Sequence, residues 1–238
     1  MKSLRFSILA LIISFACFSA AKAQSADDIV NKHIEAKGGI ENWKKVKSMK
    51  MVGTVNANGQ EIEMTLTRVQ DKAFRMDMTV AGMANYQIVT AKEGWQYFPI
   101  GGQTKPEAMT ADEVKQSADD LDIQGPLINY KEKGNTITFL GKDDVEGTEC
   151  YKLKVIYKSG KEVTMCFDAS NYYLIRQTEK EKMNGKEVEQ ITSFSNYKKL
   201  PEGVLVPMTM GSSMGGDMTF KTVEINPAID ESIFKPKN

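Results

Sequence analysis

The hydrophobic period of this chain changes near Lys47. Before that residue, apolar side chains recur at the 3.6-residue spacing of a helix, and after it they recur at every second residue, beginning with Met49 and Met51. Alternation of period two is typical of strands that bury one face and expose the other to water. Strands of that kind form antiparallel sheets. The sequence therefore predicts a short helical region followed by a long run of antiparallel strands.

Capping residues and turn residues set the boundaries of the predicted elements. Ser25 and Thr110 each begin a capping box, which predicts helices over residues 25–37 and 110–121. A further short helix is predicted over residues 40–46. The predicted strands span residues 49–55, 62–66, 74–80, 86–90, 95–98, 136–140, 150–157, 162–168, 172–182, 186–197, 204–210 and 218–225. These elements predict an α+β fold with a single curved antiparallel sheet of about 10–12 strands and helices across its open face.

The predicted helix over residues 110–121 has two interpretations. It contains few large apolar residues and has glycines on both sides, at 101–102 and at Gly125. A weakly amphipathic helix between two runs of strands can be a lid that moves over a binding site. It can equally be a surface crossover that only connects the two runs.

The first 23 residues have the pattern of a secretory signal peptide. Two basic residues precede an apolar run over residues 6–18, and residues 21–23 (AKA) supply a small-x-small cleavage site. The apolar run is shorter than the roughly 20 residues of a membrane-spanning helix. Residues 24–238 are therefore expected to form one soluble domain outside the cytoplasm. A lipid anchor on Cys17 is the alternative.

Charge and residue content argue against several classes of function. The 31 basic and 31 acidic residues balance, whereas nucleic acids and anionic membranes attract a basic face. The only histidine, His33, falls on the apolar side of the first helix, where packing is the expected role. No nucleophile has a second histidine to activate it, and no glycine-rich phosphate loop is recognisable. The sequence predicts no enzyme, no cofactor and no nucleic-acid partner.

Cys150 and Cys166 flank a predicted hairpin whose loop is residues 158–160 (KSG). A three-residue loop of this kind places both cysteines on the face opposite to the apolar one, as diagonal neighbours about 7–8 Å apart by Cα. That separation is near the upper limit for a disulfide. The pair is expected either to form a strained disulfide or, in preference, to remain as two free, half-buried thiols. The cysteines lack the CxxC spacing of a zinc site, so no metal site is predicted.

Methionine is the unusual component, with 14 residues. Met51, Met64, Met76 and Met78 share the predicted inward phase of the first three strands, and Trp95 is assigned to the same face. Flexible, polarizable methionines suit irregular apolar guests. Because a curved sheet with few helices cannot fill its own concave face, these five residues are predicted to line an apolar cavity of at least roughly 300 Å³. An ordinary methionine-rich core is the alternative, and copper(I) is disfavoured because strand alternation spreads the thioethers along the sheet.

Motifs distributed over nearly all of residues 24–238 match a known family. They are residues 33–39 (HIEAKGG), Trp43, Val46, and residues 48–51 (SMKM), 125–127 (GPL), 140–147 (LGKDDVEG), 151–154 (YKLK), 167–168 (FD) and 230–234 (DESIF). In these motifs the chain resembles the outer-membrane lipoprotein-sorting proteins of Bacteroidota-type bacteria. The motifs are structural rather than catalytic, so they indicate the family better than its chemistry.

The resemblance implies the fold of the periplasmic lipoprotein carriers, an incomplete antiparallel β-barrel whose apolar concave face is covered by helices. It implies a non-enzymatic periplasmic protein that binds the acyl chains of lipoproteins or other lipids. Such a protein would carry them toward the outer membrane, between an inner-membrane donor and an outer-membrane acceptor. A periplasmic sensor that binds lipoproteins or a signalling partner is the alternative on the same fold. An enzyme acting on envelope lipids is a third interpretation, weakened by the missing catalytic residues.

Overall fold

The computed structural model describes residues 25–57, 59–183, 186–213 and 215–237. The predicted signal peptide, including Cys17, lies outside the described residues. The α-helices are α1 (Ala26–Ala36), α2 (Ile40–Trp43) and α3 (Ala111–Ser117), and 3₁₀ helices span Pro99–Gly101, Ala118–Leu121 and Glu231–Phe234. The strands are β1 (Ser48–Ala57), β2 (Gln60–Val69), β3 (Ala73–Val80), β4 (Met83–Thr90), β5 (Gly94–Tyr97), β6 (Glu107–Ala108), β7 (Thr136–Val145), β8 (Thr148–Ile156), β9 (Glu162–Asp168), β10 (Leu174–Met183), β11 (Lys186–Lys199), β12 (Leu205–Ser212) and β13 (Asp217–Ile225).

All the described strands belong to one antiparallel sheet, in the order β6-β5-β4-β3-β2-β1-β13-β12-β11-β10-β9-β8-β7. This confirms the predicted α+β class with a single antiparallel sheet. The described sheet has 13 strands, one more than the upper end of the prediction. The additional strand, Glu107–Ala108, has only two residues, so it is too short to show an alternating pattern. Because the edge strands β6 and β7 do not pair with each other, the barrel is incomplete.

The sheet curls around the segment that follows α3. Asp119, in the 3₁₀ helix Ala118–Leu121, accepts a hydrogen bond of 2.7 Å from Ser159 in the loop between β8 and β9. The same 3₁₀ helix also packs against β3 and β4. Six strands separate β3 from β9 in the sheet, which in a flat sheet would place them more than about 30 Å apart. Contact of one short helix with both regions therefore requires strong curvature.

Helices α1 and α2 cover the concave, inner face of the sheet. Ile29 and Val30 of α1 are buried in one cluster with Phe167 of β9, and Trp43 of α2 is buried in a second cluster with Met51 of β1. The covering helices predicted from the capping box and the apolar spacing are thus confirmed. Helix α2 ends at residue 43 rather than 46, because the chain turns there to enter β1.

The predicted helix over residues 110–121 consists of two elements. Thr110 begins α3 with the predicted capping box: its Oγ1 accepts a hydrogen bond of 3.3 Å from the backbone N–H of Glu113, whose carboxylate accepts one of 2.7 Å from the N–H of Thr110. The α-helix ends at Ser117, and the chain continues as a 3₁₀ helix. The tighter turn buries Leu121, while Asp119 reaches Ser159.

The β8–β9 hairpin has the predicted register. Cys150 lies opposite Asp168 and Cys166 lies opposite Lys152, so the two cysteines are diagonal neighbours. Both thiols are free, and both are fully buried rather than half-buried. Burial raises the pKa of Cys150 to about 12, so its reactive thiolate form is scarce at neutral pH. A disulfide between the two stays a prediction.

The C-terminal segment covers part of the outer face. Phe234 is buried in a cluster with Tyr86 and Ile88 of β4. Arg75 of β3 anchors the segment, because its guanidinium donates a hydrogen bond of 2.5 Å to the carbonyl oxygen of Ile233. The outer face of β3 and β4 is therefore apolar at this position, although most outer surfaces of a one-sided sheet are polar.

Candidate ligand-binding face

Eight methionines lie on the inner face of five neighbouring strands, β3, β2, β1, β13 and β12. The registers place Met64 opposite Met78 and Met210 opposite Met218. All eight belong to, or pack against, one apolar cluster. We call this surface the methionine face, and it consists of Met49, Met51, Met64, Met76, Met78, Met208, Met210 and Met218.

The methionines of this face differ in their exposure to solvent: some are buried and others are only partly buried. Met51 and Met64 are 8% and 3% exposed, whereas Met76 and Met78 are only partly buried. The structure therefore brings together the four methionines predicted from the strand alternation. Trp43 of α2 packs onto the same cluster from the helical side. A ligand cavity lined by these side chains stays a prediction.

Trp95 does not belong to the methionine face. It lies opposite Ile88 of β4, and Ile88 lies opposite Arg75 of β3. In a strand, neighbouring residues point to opposite faces, so Arg75 and Trp95 lie on the face opposite to Met76. Trp95 packs instead against the outer cluster that contains Phe234. Its assignment to the methionine face was wrong, because the apolar phase of β4 and β5 faces the C-terminal segment there.

The inner face becomes polar toward β9 and β10. Lys161 and Glu179 form an ion pair of 2.6 Å, and Glu179 lies opposite Val163 on the inner phase. Asp120, on the 3₁₀ helix that faces these strands, is close enough to Arg68 and Lys161 for both to lower its pKa, although partial desolvation, the larger effect, raises it. Asp120 is nevertheless solvent-exposed. Its carboxylate is therefore accessible to water at the polar end of the inner face.

His33 is packed, as predicted. Its Nδ1–H donates a hydrogen bond of 2.8 Å to the carbonyl oxygen of Tyr172, and the imidazole meets the ring of Phe167 edge-on at 4.7 Å. A carbonyl can only accept, so the proton lies on Nδ1. Burial, assisted by the positive charge of Lys37, lowers the pKa of His33 to about 3. The imidazole is therefore neutral and buried at neutral pH.

Met208, Met210 and Met218 were not among the predicted site residues. Their alternation was visible in the sequence, because Met208 and Met210 are two residues apart, as are Met218 and Phe220. What the sequence did not show is that β13 pairs with β1. That pairing between the two ends of the chain joins the two methionine-rich regions.

Neither a metal site nor a membrane-spanning helix occurs among the described residues. No group of histidine, cysteine, aspartate or glutamate side chains in this part of the chain has the arrangement of a metal site. Among the same residues, no helix has both the length and the apolar content needed to cross a membrane.

The open, helix-covered sheet occurs in solved structures. A LolA superfamily protein from Nitrosomonas europaea is 11% identical over 90% of this chain and 98% of its own, with a TM-score of 0.56. A domain described as an outer membrane lipoprotein-sorting protein from Vibrio parahaemolyticus is 14% identical over 88% of this chain and 95% of its own, with a TM-score of 0.50. This chain has a LolA-like fold. A DUF1329 family protein from Desulfovibrio piger is 11% identical over 90% of this chain and 98% of its own, also with a TM-score of 0.50.

At these identities the comparisons establish the LolA-like fold and not the ligand. No protein-family model matches the sequence, and no curated protein sequence matches it. The narrower resemblance to Bacteroidota-type proteins stays a prediction.

Proposed function

We propose that this protein is a non-enzymatic periplasmic carrier that binds the acyl chains of lipoproteins or other lipids on the methionine face. Its role would be to transfer them toward the outer membrane, from an inner-membrane donor to an outer-membrane acceptor. The observation that carries the proposal is the position of the methionine face, on the concave side of a LolA-like sheet and beneath a helical cover.

The composition of this face favours a flexible apolar ligand. Methionine has three rotatable side-chain bonds and a polarizable sulfur, so its side chains adapt to chains of different shape. Met76 and Met78 are only partly buried, which leaves apolar surface for a guest to cover. Each buried methylene contributes about 0.8 kcal/mol, so a long acyl chain can bind tightly even after ordering costs of several kcal/mol. Because Trp43 and the 3₁₀ helix Ala118–Leu121 lie over the inner face, the cover must move for a ligand to enter.

Met78→Asp tests the proposal directly. A carboxylate in the middle of the face would have to be desolvated by the bound acyl chain, which is costly. A fluorescent fatty acid, titrated against residues 24–238, is expected to bind saturably at micromolar concentrations, and the variant is expected to lose at least about 100-fold in affinity. Circular dichroism must show that the variant is folded.

The matched control is Thr79→Asp, which introduces the same charge one residue away on the exposed outer face of β3. It should bind like the unmodified protein. If the unmodified protein showed no saturable binding, the carrier proposal would fail and the sensor alternative would lead. Equal losses in the two variants would show that the site lies elsewhere.

The two tryptophans provide a second prediction. Trp43 belongs to the inner cluster with Met51, whereas Trp95 lies in the outer cluster. A fatty acid brominated along its chain quenches only nearby tryptophans, so it is expected to quench Trp43 and to leave Trp95 unaffected. Quenching should persist in Trp95→Phe and disappear in Trp43→Phe. The reverse result would place the ligand on the outer face.

A further inference from the structure

A polar cavity of about 520 Å³ lies between α3, its following 3₁₀ helix, the loop between β8 and β9, and strand β10. Its charged lining residues are Asp112, Lys115, Asp119, Lys161, Glu179 and Lys180. Positive and negative groups are thus equal in number, which fits neither a purely anionic nor a purely cationic ligand. A cavity of this size accommodates a small polar group.

Most of the charges in this polar cavity already have partners. Lys161 pairs with Glu179 at 2.6 Å, and Lys180 pairs with Glu187 at 2.7 Å. Asp119 accepts a hydrogen bond of 2.7 Å from Ser159. The charges of Lys161, Glu179 and Lys180 are therefore compensated within the protein, whereas Asp119 keeps its charge because its partner is a neutral hydroxyl.

Asp112 and Lys115 are different. Both are exposed side chains of α3 that line the cavity. Among the residues that the structure describes, neither forms an ion pair, and they do not pair with each other. Residues three apart on a helix have Cβ atoms about 5–6 Å apart. Helix α3 therefore presents to the cavity one carboxylate and one ammonium group, neither of them in an ion pair, about one helical turn apart.

We infer that the polar cavity binds the zwitterionic head group of an amphiphile, a phosphoethanolamine, whose acyl chain lies along the methionine face. Lys115 binds the phosphate and Asp112 binds the ammonium group. In phosphoethanolamine the two charges are separated by only two carbon atoms, so both can reach side chains that lie one helical turn apart. The inference rests on the proposed function, because it names the class of lipid that the methionine face would carry.

The distance from the polar cavity to the methionine face suits an acyl chain. Glu179 lies opposite Gln190 of β11, and Met210 lies opposite Phe194 of β11, four residues along the same strand. Two strand spacings and four residues place Glu179 about 17 Å from Met210 along the sheet. Half of a bilayer's hydrocarbon core is about 15 Å thick. One chain of membrane length therefore spans from the cavity to the methionines.

The test compares three palmitoyl amphiphiles that differ only in head group: lysophosphatidylethanolamine, lysophosphatidylglycerol and monopalmitoylglycerol. The unmodified protein is expected to bind the ethanolamine lipid at least about ten-fold more tightly than the other two, which corresponds to about 1.4 kcal/mol. The double variant Asp112→Asn, Lys115→Ala should lose this preference and keep its affinity for monopalmitoylglycerol. Lys105→Ala, on an exposed loop outside the cavity, is the control and should behave like the unmodified protein.

The outcomes separate the two proposals. Equal binding of the three lipids by the unmodified protein would overturn the head-group inference and leave the acyl-chain carrier intact. A preference that persisted in the double variant would likewise overturn the assignment to Asp112 and Lys115. Absence of binding by all three lipids would refute the carrier proposal itself.

Discussion

Acidification from pH 6.5 to pH 3 is expected to lower the free energy of unfolding through His33 by up to about 5 kcal/mol. The pKa of this buried imidazole falls from 6.5 to about 3 on folding. Below pH 6.5 the unfolded chain binds a proton at His33, whereas the folded protein does not until about pH 3. The free energy of unfolding thus decreases by about 1.4 kcal/mol for each unit by which the pH falls in this window. Above pH 6.5 His33 is neutral in both the folded and the unfolded state, so it adds no pH dependence to the free energy of unfolding.

The measurement is urea unfolding at several values between pH 7.5 and pH 4, with His33→Gln as the reference. Glutamine does not titrate, and its amide can still donate to the carbonyl oxygen of Tyr172. Asp27, Asp143 and Asp168, whose pKa values are lowered in the folded protein, also weaken stability at acidic pH. They contribute equally to both proteins, so they cancel in the difference. The stability advantage of the unmodified protein over the variant should shrink steadily as the pH falls. If the free energies of unfolding of the two proteins ran parallel over this pH range, folding would not change the proton affinity of His33.

Local patterns in the sequence were sufficient to predict the class of fold. Period-two alternation identified the strands, and the capping boxes at Ser25 and Thr110 identified the covering helices, because both signals act over a few residues. The register of the β8–β9 hairpin was predictable for the same reason, since a three-residue loop determines which residues face each other. The end of α3 was not predictable, because the hydrogen bond of Asp119 with Ser159 and the burial of Leu121 depend on residues that are distant in the sequence.

The candidate site was predicted in part, and the error has a physical cause. The four predicted methionines lie on β1, β2 and β3, whose apolar phase faces inward. On β4 and β5 the apolar phase faces outward, because the C-terminal segment with Phe234 covers that surface. A pattern of period two defines two faces but does not say which of them is inner. Trp95 was misplaced for this reason.

The polar cavity could not be predicted from the sequence. Asp112 and Lys115 lie on α3, whereas Lys161 and Glu179 lie beside the β8–β9 hairpin and on β10. No short motif links them, and each is an ordinary surface charge when taken alone. These residues line one cavity only because the sheet is strongly curved.

Gly38→Ala is expected to destabilise the protein by at least about 3 kcal/mol, through two separate effects. Gly38 has a φ of 108°, a left-handed conformation that alanine adopts only with strain. A Cβ at this position would also lie 2.0 Å from the backbone carbonyl oxygen of Gly203, which cannot rotate away as a side chain could. This contact fixes the turn between α1 and α2 against the segment that enters β12, where the N–H of Leu205 donates a hydrogen bond of 2.8 Å to the carbonyl oxygen of Lys37. The variant must therefore move α2, and with it Trp43, relative to the methionine face.

Gly39→Ala is the matched control, because it separates the two effects within one dipeptide. Gly39 also has a positive φ, of 83°, but a Cβ there would meet no atom within 4 Å. Because the ψ of Gly39 is 154°, this residue lies in a region that essentially only glycine adopts, so alanine here should cost the conformational strain alone, about 1–3 kcal/mol. Urea unfolding followed by circular dichroism gives both values. Equal losses in the two variants would show that the close approach of Gly38 to Gly203 is not maintained in solution, and that the cover over the methionine face is held in place by side-chain packing alone.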